Sequence, residues 1–136
     1  ILVDEDTNSF TNVMEAYKLP KSTVEEIKFR NTSINKAIKY ATTIPHETLK
    51  HCYEVMKISY SAAKYGNSNS ISDAGVAIEI AYAGIRGALL NIYINLNQID
   101  DENFKDRINK SSKKILDESK KLLNKTRKII KNKIDE

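Results

Sequence analysis

Gly66-Asn67-Ser68-Asn69-Ser70-Ile71-Ser72-Asp73-Ala74-Gly75 runs straight into an apolar stretch carrying Gly84, Gly87, Asn91 and Asn95, and the reading of Gly66 to Asn95 decides the fold. One Gly, two Asn and three Ser between Gly66 and Ser72 mark a loop. Ser70 and Ser72 can each cap a helix, and either start leaves Asp73 in the first turn. Beyond Asp73 the segment holds no Pro, and Glu79 and Arg86 are its only charges, which predicts a helix over about 72–97. Val76, Ile78, Tyr82, Ile85, Leu89, Leu90, Ile92 and Ile94 make it apolar nearly all round. Such a helix is expected at the centre of a bundle, covered on several sides.

At 100° per residue, Asp73, Ala77, Ile80, Gly84, Gly87, Ala88, Asn91 and Asn95 share a sector about 100° wide. It is lined mostly by small side chains, with polar groups at both ends. Gly84 and Gly87 each cost about 1 kcal/mol relative to Ala inside a helix, so a close approach of a helix backbone or of a ligand is the expected reason for them. Buried amides without partners cost about 1–3 kcal/mol apiece, so Asn91 and Asn95 need another helix end or a bound polar molecule. The plainer readings are that Asp73 is a helix cap and the Gly/Ala stripe a helix crossing.

Outward from this helix the chain reads as all-α. Phe10, Val13, Met14 and Tyr17 recur at helical spacing over residues 4–17, and Leu19-Pro20-Lys21 breaks that helix. Ser22-x-x-Glu25 and Thr23-x-x-Glu26 both fit a capping box for a second helix to about Thr43, burying Ile27, Ile34, Ile38 and Ala41. Pro45 disfavours the helical conformation at Ile44, so a third helix is expected from there to about Lys64. In the tail, Phe104, Ile108, Ile115, Leu122 and Ile129 recur at helical spacing, which predicts a long amphipathic C-terminal helix. The expected fold is one helical domain over residues 1–136, a bundle of about five helices around a buried central one.

Charge is unevenly spread. Residues 105–136 carry 12 Lys or Arg against five Asp or Glu, a surplus of seven in a chain of net charge +4, so residues 1–104 are net negative by three. The basic C-terminal helix reads first as a solvated lysine face. It lacks the interleaved aromatics and recognition motifs of a nucleic-acid binder. There is no uninterrupted run of 18 or more apolar residues and no signal-like start, so no membrane segment is expected. Cys52 stands alone, which fits a reducing cytoplasm. His46 and His51 lie about 140° apart around a helix and cannot share a metal, and no Cys/His cluster has ligand spacing. Tyr53 and Tyr60 read as packing residues; Tyr17, just before a turn, is better placed for function.

Asn67-Ser68-Asn69-Ser70-Ile71-Ser72-Asp73-Ala74-Gly75-Val76-Ala77 resembles the G-N-x-N-x-x-S-D-A-G-V-A signature of the formimidoyltransferase-cyclodeaminase family. That family also includes free-standing methenyltetrahydrofolate cyclohydrolases. Gly87 through Leu96 is similar to its G-A-x-L-N-V-x-I-N-L continuation. Asp6 through Phe10 and Tyr17-Lys18-Leu19-Pro20-Lys21 resemble its D-x-x-x-F and A-Y-x-L-P-K stretches, so the likeness spans essentially the whole chain. Family members open with a further segment of about two helices bearing a Gly-rich P-x-G-G-G-S-like turn. Nothing here matches it, so the chain reads as the C-terminal portion of a longer cyclodeaminase-like domain. Tyr93 stands where a basic residue is common in the family.

The resemblance implies a one-carbon-substituted tetrahydrofolate as ligand, with two reactions open. One hydrolyses 5,10-methenyltetrahydrofolate to 10-formyltetrahydrofolate; the other cyclises 5-formimidoyltetrahydrofolate to the methenyl form with loss of ammonia. Both pass through a cationic amidinium carbon that a fixed carboxylate would stabilise, and Asp73 is the catalytic candidate. Asn91 and Asn95 would bind the pterin edge, with Asn67, Asn69 and Ser72 forming the lip. No metal and no cofactor beyond the folate is implied, and the family suggests a homodimer. A basic tail would then attract glutamate tails of folates. The competing expectation is a non-catalytic helical dimerisation module whose small-residue stripe is its contact and whose tail binds an acidic partner.

Overall fold

A computed structural model of the chain describes residues 1–135 as four long helices and no strand. Helix α1 spans Leu2–Lys18, α2 Val24–Tyr65, α3 Ile71–Leu96 and α4 Glu102–Asp135, with a single 3-10 turn, Ser68–Ser70, leading into α3. The start of α2 is the Thr23-x-x-Glu26 box: the Thr23 hydroxyl accepts the Glu26 amide at 3.2 Å. The Glu26 carboxylate in turn accepts the amides of Thr23 at 3.2 Å and Ser22 at 2.7 Å.

The expected break at Pro45 is absent, and four helices replace the expected five. Pro45 sits inside α2, buried, and the helix runs on through 42 residues. A proline there removes one amide and orphans the carbonyl four residues back, which is Ala41. That carbonyl is taken by α3, where Asn95 Nδ2 donates to Ala41 O at 3.3 Å. The second and third expected helices are therefore one, with the carbonyl freed by Pro45 paired by a side chain 54 positions away from it.

This long helix is the spine. α3 returns along it, with Asn95 beside Ala41 and Gly84 against Cys52; a Cβ added at Gly84 would lie 2.7 Å from Cys52 Sγ. α4 runs back in the direction of α2: Lys39 Nζ meets Asp101 Oδ2 at 2.6 Å and His46 Nε2 meets Ser111 Oγ at 3.0 Å. Asp101 also caps α4 by accepting the Phe104 amide at 3.0 Å. The Lys39 ammonium, then that amide, hold its carboxyl below the usual carboxylate range. Glu79 of α3 and Arg127 of α4 form a two-pronged pair at 2.6 and 2.7 Å. α1 doubles back on the first half of α2, where the Arg30 guanidinium donates to the Tyr17 carbonyl at 3.1 Å.

The core lies between α2, α3 and α4: Leu49, Met56, Ile78, Ile85 and Ile92 are fully enclosed, with Ile38, Ile108 and Leu123 around them. Each such side chain contributes about 1.5–3 kcal/mol by leaving water. The expectation of a central helix covered on several sides is corrected here. α3 buries Ala74, Ile78, Ala81, Ile85, Ala88, Leu89, Ile92 and Leu96, while Val76, Ile80, Leu90 and Ile94 face solvent at 59, 67, 65 and 60% exposure. The stretch Ser68–Leu96 is long and apolar enough to cross a membrane by length and composition alone. Its inner face is nevertheless the bundle core.

Candidate functional site

α1 lies along the first half of α2 and α3 along the second, so all three meet only around residues 38–48 of α2. Between them opens a cleft of about 440 Å³. Its floor is Ile38, Ala41 and Pro45 of α2; α1 lends Asp6, Phe10, Met14 and Tyr17, and α3 lends Asn91, Ile94 and Asn95. A second hollow of about 390 Å³, sharing Asp6, Pro45 and Asn91, continues it toward Thr48 and Ala88. The cleft is apolar-walled with a few converging polar groups, the usual form of a small-molecule site.

The Pro45 defect shapes this floor. Because Asn95 donates its Nδ2 to Ala41, its amide is fixed in place and only half exposed. Asn91, one turn earlier, is exposed and borders both hollows. Asp6 is the carboxylate of the cleft and stands between the two hollows. Sequence reasoning quoted Asp6 within D-x-x-x-F and yet passed it over as a site residue. The signal available was its spacing: Asp6 and Phe10 are one helical turn apart, so both face the same way. Tyr17 also lines the cleft, its ring stacked 5.5 Å under the Arg30 guanidinium.

The remaining expected residues lie elsewhere. Asp73 is exposed in the first turn of α3, where Ser70 is the cap residue, and neither makes a capping side-chain hydrogen bond. Ser72 and Asn69 are exposed beside it, and Asn67 turns its Oδ1 to the Asn69 amide at 3.0 Å. Asp73 precedes Asn91 by eighteen residues and Asn95 by twenty-two, about 27 and 33 Å along one helix. Within one subunit, therefore, the structure joins Asn91 and Asn95 and leaves Asp73, Ser72, Asn69 and Asn67 at the far end.

The small-residue stripe divides in the same way. Gly84 is a helix crossing against Cys52, whereas a Cβ added at Gly87 would meet no neighbouring heavy atom within 4 Å; off the stripe, a Cβ added at Gly75 would lie 3.2 Å from Ile130 Cδ1 of α4. His46 is buried against Ser111, and burial, followed by Lys50, lowers its pKa from 6.5. His51 is exposed. Among the described residues no group of three or more His, Cys, Asp and Glu stands together.

A family model described as Formiminotransferase-cyclodeaminase matches residues 1–114. A methenyltetrahydrofolate cyclohydrolase of Methylorubrum extorquens is 39% identical over 134 residues, 98% of this chain and 64% of that protein. A formimidoyltransferase-cyclodeaminase of Gallus gallus is 33% identical over 117 residues, covering 86% of this chain and 22% of the relative. Among solved structures, the crystal structure of formiminotetrahydrofolate cyclodeaminase from Thermotoga maritima superposes with a TM-score of 0.83 at 23% identity. It covers 98% of this chain and 62% of its own, which makes it a likeness of fold. The chain thus spans just under two thirds of the bacterial relatives and about a fifth of the animal one.

Proposed function

The chain belongs to the formiminotransferase-cyclodeaminase family, and from that premise we propose that it is an enzyme of folate one-carbon metabolism. It hydrolyses 5,10-methenyltetrahydrofolate to 10-formyltetrahydrofolate, or cyclises 5-formimidoyltetrahydrofolate to the methenyl form with release of ammonia. The observation that carries the reading is the 39% identity to a methenyltetrahydrofolate cyclohydrolase over 98% of the chain. In the cleft, the Asn91 and Asn95 amides meet the polar edge of the pterin and the apolar wall covers its ring. The positive charge on the amidinium carbon calls for a carboxylate, which stabilises the cation and accepts a proton from attacking water or nitrogen. Asp6 is the carboxylate already in the cleft, and Asp73 is the one in the family signature. Asp73 stands at the N-terminus of α3, where the helix dipole favours negative charge, so it acts by charge before it acts as a base.

The reaction moves no electrons, so no redox cofactor is called for, and the setting is the cytoplasm. The lysine surplus of α4 steers the glutamate tail of the folate toward the protein and is screened by salt. The test follows the methenyl chromophore with purified protein. Acceleration of its loss supports the reading, as does a fall of roughly a hundredfold or more for Asp6→Asn with helicity intact. A chain that is folded and leaves both methenyl and formimidoyl substrates untouched overturns it.

A further inference from the structure

The C-terminal end of α1 is tied to α2 by one side chain. The last four carbonyls of a helix have no partner within it, and α1 gives way at Leu19 to extended backbone. Of these carbonyls, Ala16 O accepts the Leu19 amide at 3.3 Å, and Tyr17 O accepts two donors from Arg30 of α2, Nε at 3.3 Å and Nη2 at 3.1 Å. The same guanidinium lies over the Tyr17 ring, 5.5 Å from its centre. One group, thirteen positions away, thus holds both the backbone and the side chain of Tyr17.

A guanidinium is suited to this double task. Its N–H donors lie in its plane and reach the carbonyl, while its flat face is free to cover an aromatic ring; an ammonium is a point charge with no such plane. The cation also stands at the negative end of the α1 dipole. Arg30 is half-buried and does not line the cleft, whereas Tyr17 lines it and is 43% exposed. Whatever Arg30 does for the cleft it therefore does through Tyr17. A ring free to turn at a cleft wall must be ordered by its ligand, and that ordering weakens binding; a ring already held meets a flat guest without the loss.

We propose that Arg30 is a positioning residue of the cleft: it clamps Tyr17 by carbonyl and ring together, and so holds the aromatic wall on which a flat heterocycle lies. That the heterocycle is a folate rests on the reading above; the clamp does not. Capping alone would secure the end of α1 whatever side chain stands at position 17. A clamp acting on the ring has its effect on binding only while the ring is there, and that difference can be measured.

The experiment uses the full chain and follows turnover of the methenyl chromophore, with helicity checked by circular dichroism. Arg30→Ala should raise KM roughly threefold to tenfold with little change in kcat, because what is lost is binding common to ground and transition states. Tyr17→Leu should raise KM about tenfold, and adding Arg30→Ala to it should raise KM no further. Arg30→Lys should share the rise although it keeps the charge, and it carries the test if Arg30→Ala loses helicity. Ring order of Tyr17, measured by NMR on tyrosine-labelled protein, needs no ligand: the ring should be ordered in the wild type and mobile in Arg30→Ala. A wild-type KM in either Arg30 variant, a further rise in the double variant, or a Tyr17 ring equally ordered without Arg30 overturns the proposal while leaving the folate reading intact. A folded wild-type chain that turns over neither methenyl nor formimidoyl substrate sinks the folate reading instead, and the ring order then decides the clamp.

Discussion

If Asn95 replaces the hydrogen bond that Pro45 removes, its value should depend on whether position 45 has an amide. In the native chain Asn95→Ala strands the part-buried Ala41 carbonyl, bonded at 3.3 Å. Stranding a buried acceptor costs about 1–3 kcal/mol, and the long bond and partial exposure place this one near the bottom of that range, at about 1 kcal/mol. Pro45→Ala restores the helical amide and removes a residue that costs about 3 kcal/mol in a helix interior, less what its buried ring gains by packing. In that background the Ala41 carbonyl is already paired, so Asn95→Ala should cost close to nothing. The four proteins form a double-mutant cycle with a coupling of about 1 kcal/mol. Urea unfolding followed by helical circular dichroism at one fixed protein concentration measures it. Equal costs for Asn95→Ala in the native chain and in the Pro45→Ala background would refute the account of how α2 stays continuous.

Two further outcomes follow from the packing. Gly84→Ala should destabilise by about 1–3 kcal/mol, because the new methyl lands 2.7 Å from Cys52 Sγ. Gly87→Ala, with open space around it, should gain up to about 1 kcal/mol of helix propensity; thermal unfolding that ranks the two alike would contradict this. Burial, followed by Lys50, lowers the pKa of His46 from 6.5, so the unfolded chain takes up its proton first. Stability from this group is complete above 6.5 and declines as pH falls through that value toward the lowered folded one. His46→Gln, which can still meet Ser111, should flatten that slope in urea midpoints; an unchanged slope removes His46 as its source.

Local chemistry was legible in the sequence where its partners were local. The Thr23–Glu26 box is written in four adjacent positions, and it formed. The break at Pro45 was a sound local expectation, defeated by an amide 50 positions further along. Gly84 announced a close approach correctly, but only the packing says that Cys52 is what approaches. The apolar circumference of α3 was read as burial, although composition cannot tell cover supplied by the same chain from cover supplied by another. Grouping Asp73 with Asn91 and Asn95 used angle around the axis alone and passed over the distance along it. Asp6 was missed for the opposite reason: its spacing to Phe10 puts both on one face of α1, but the α2 and α3 residues that make that face a cleft are distant in sequence.

The stitch between α3 and the spine also sets what the cleft can accept. With one Nδ2 hydrogen committed to Ala41, Asn95 is not free to rotate to suit its guest, and it has its Oδ1 and the second Nδ2 hydrogen left to offer. A visitor reaching that point therefore meets one acceptor and one donor held in a fixed plane, and must present a complementary pair in that orientation. A folding repair in one helix thereby becomes a filter on chemistry, fixed before any molecule arrives.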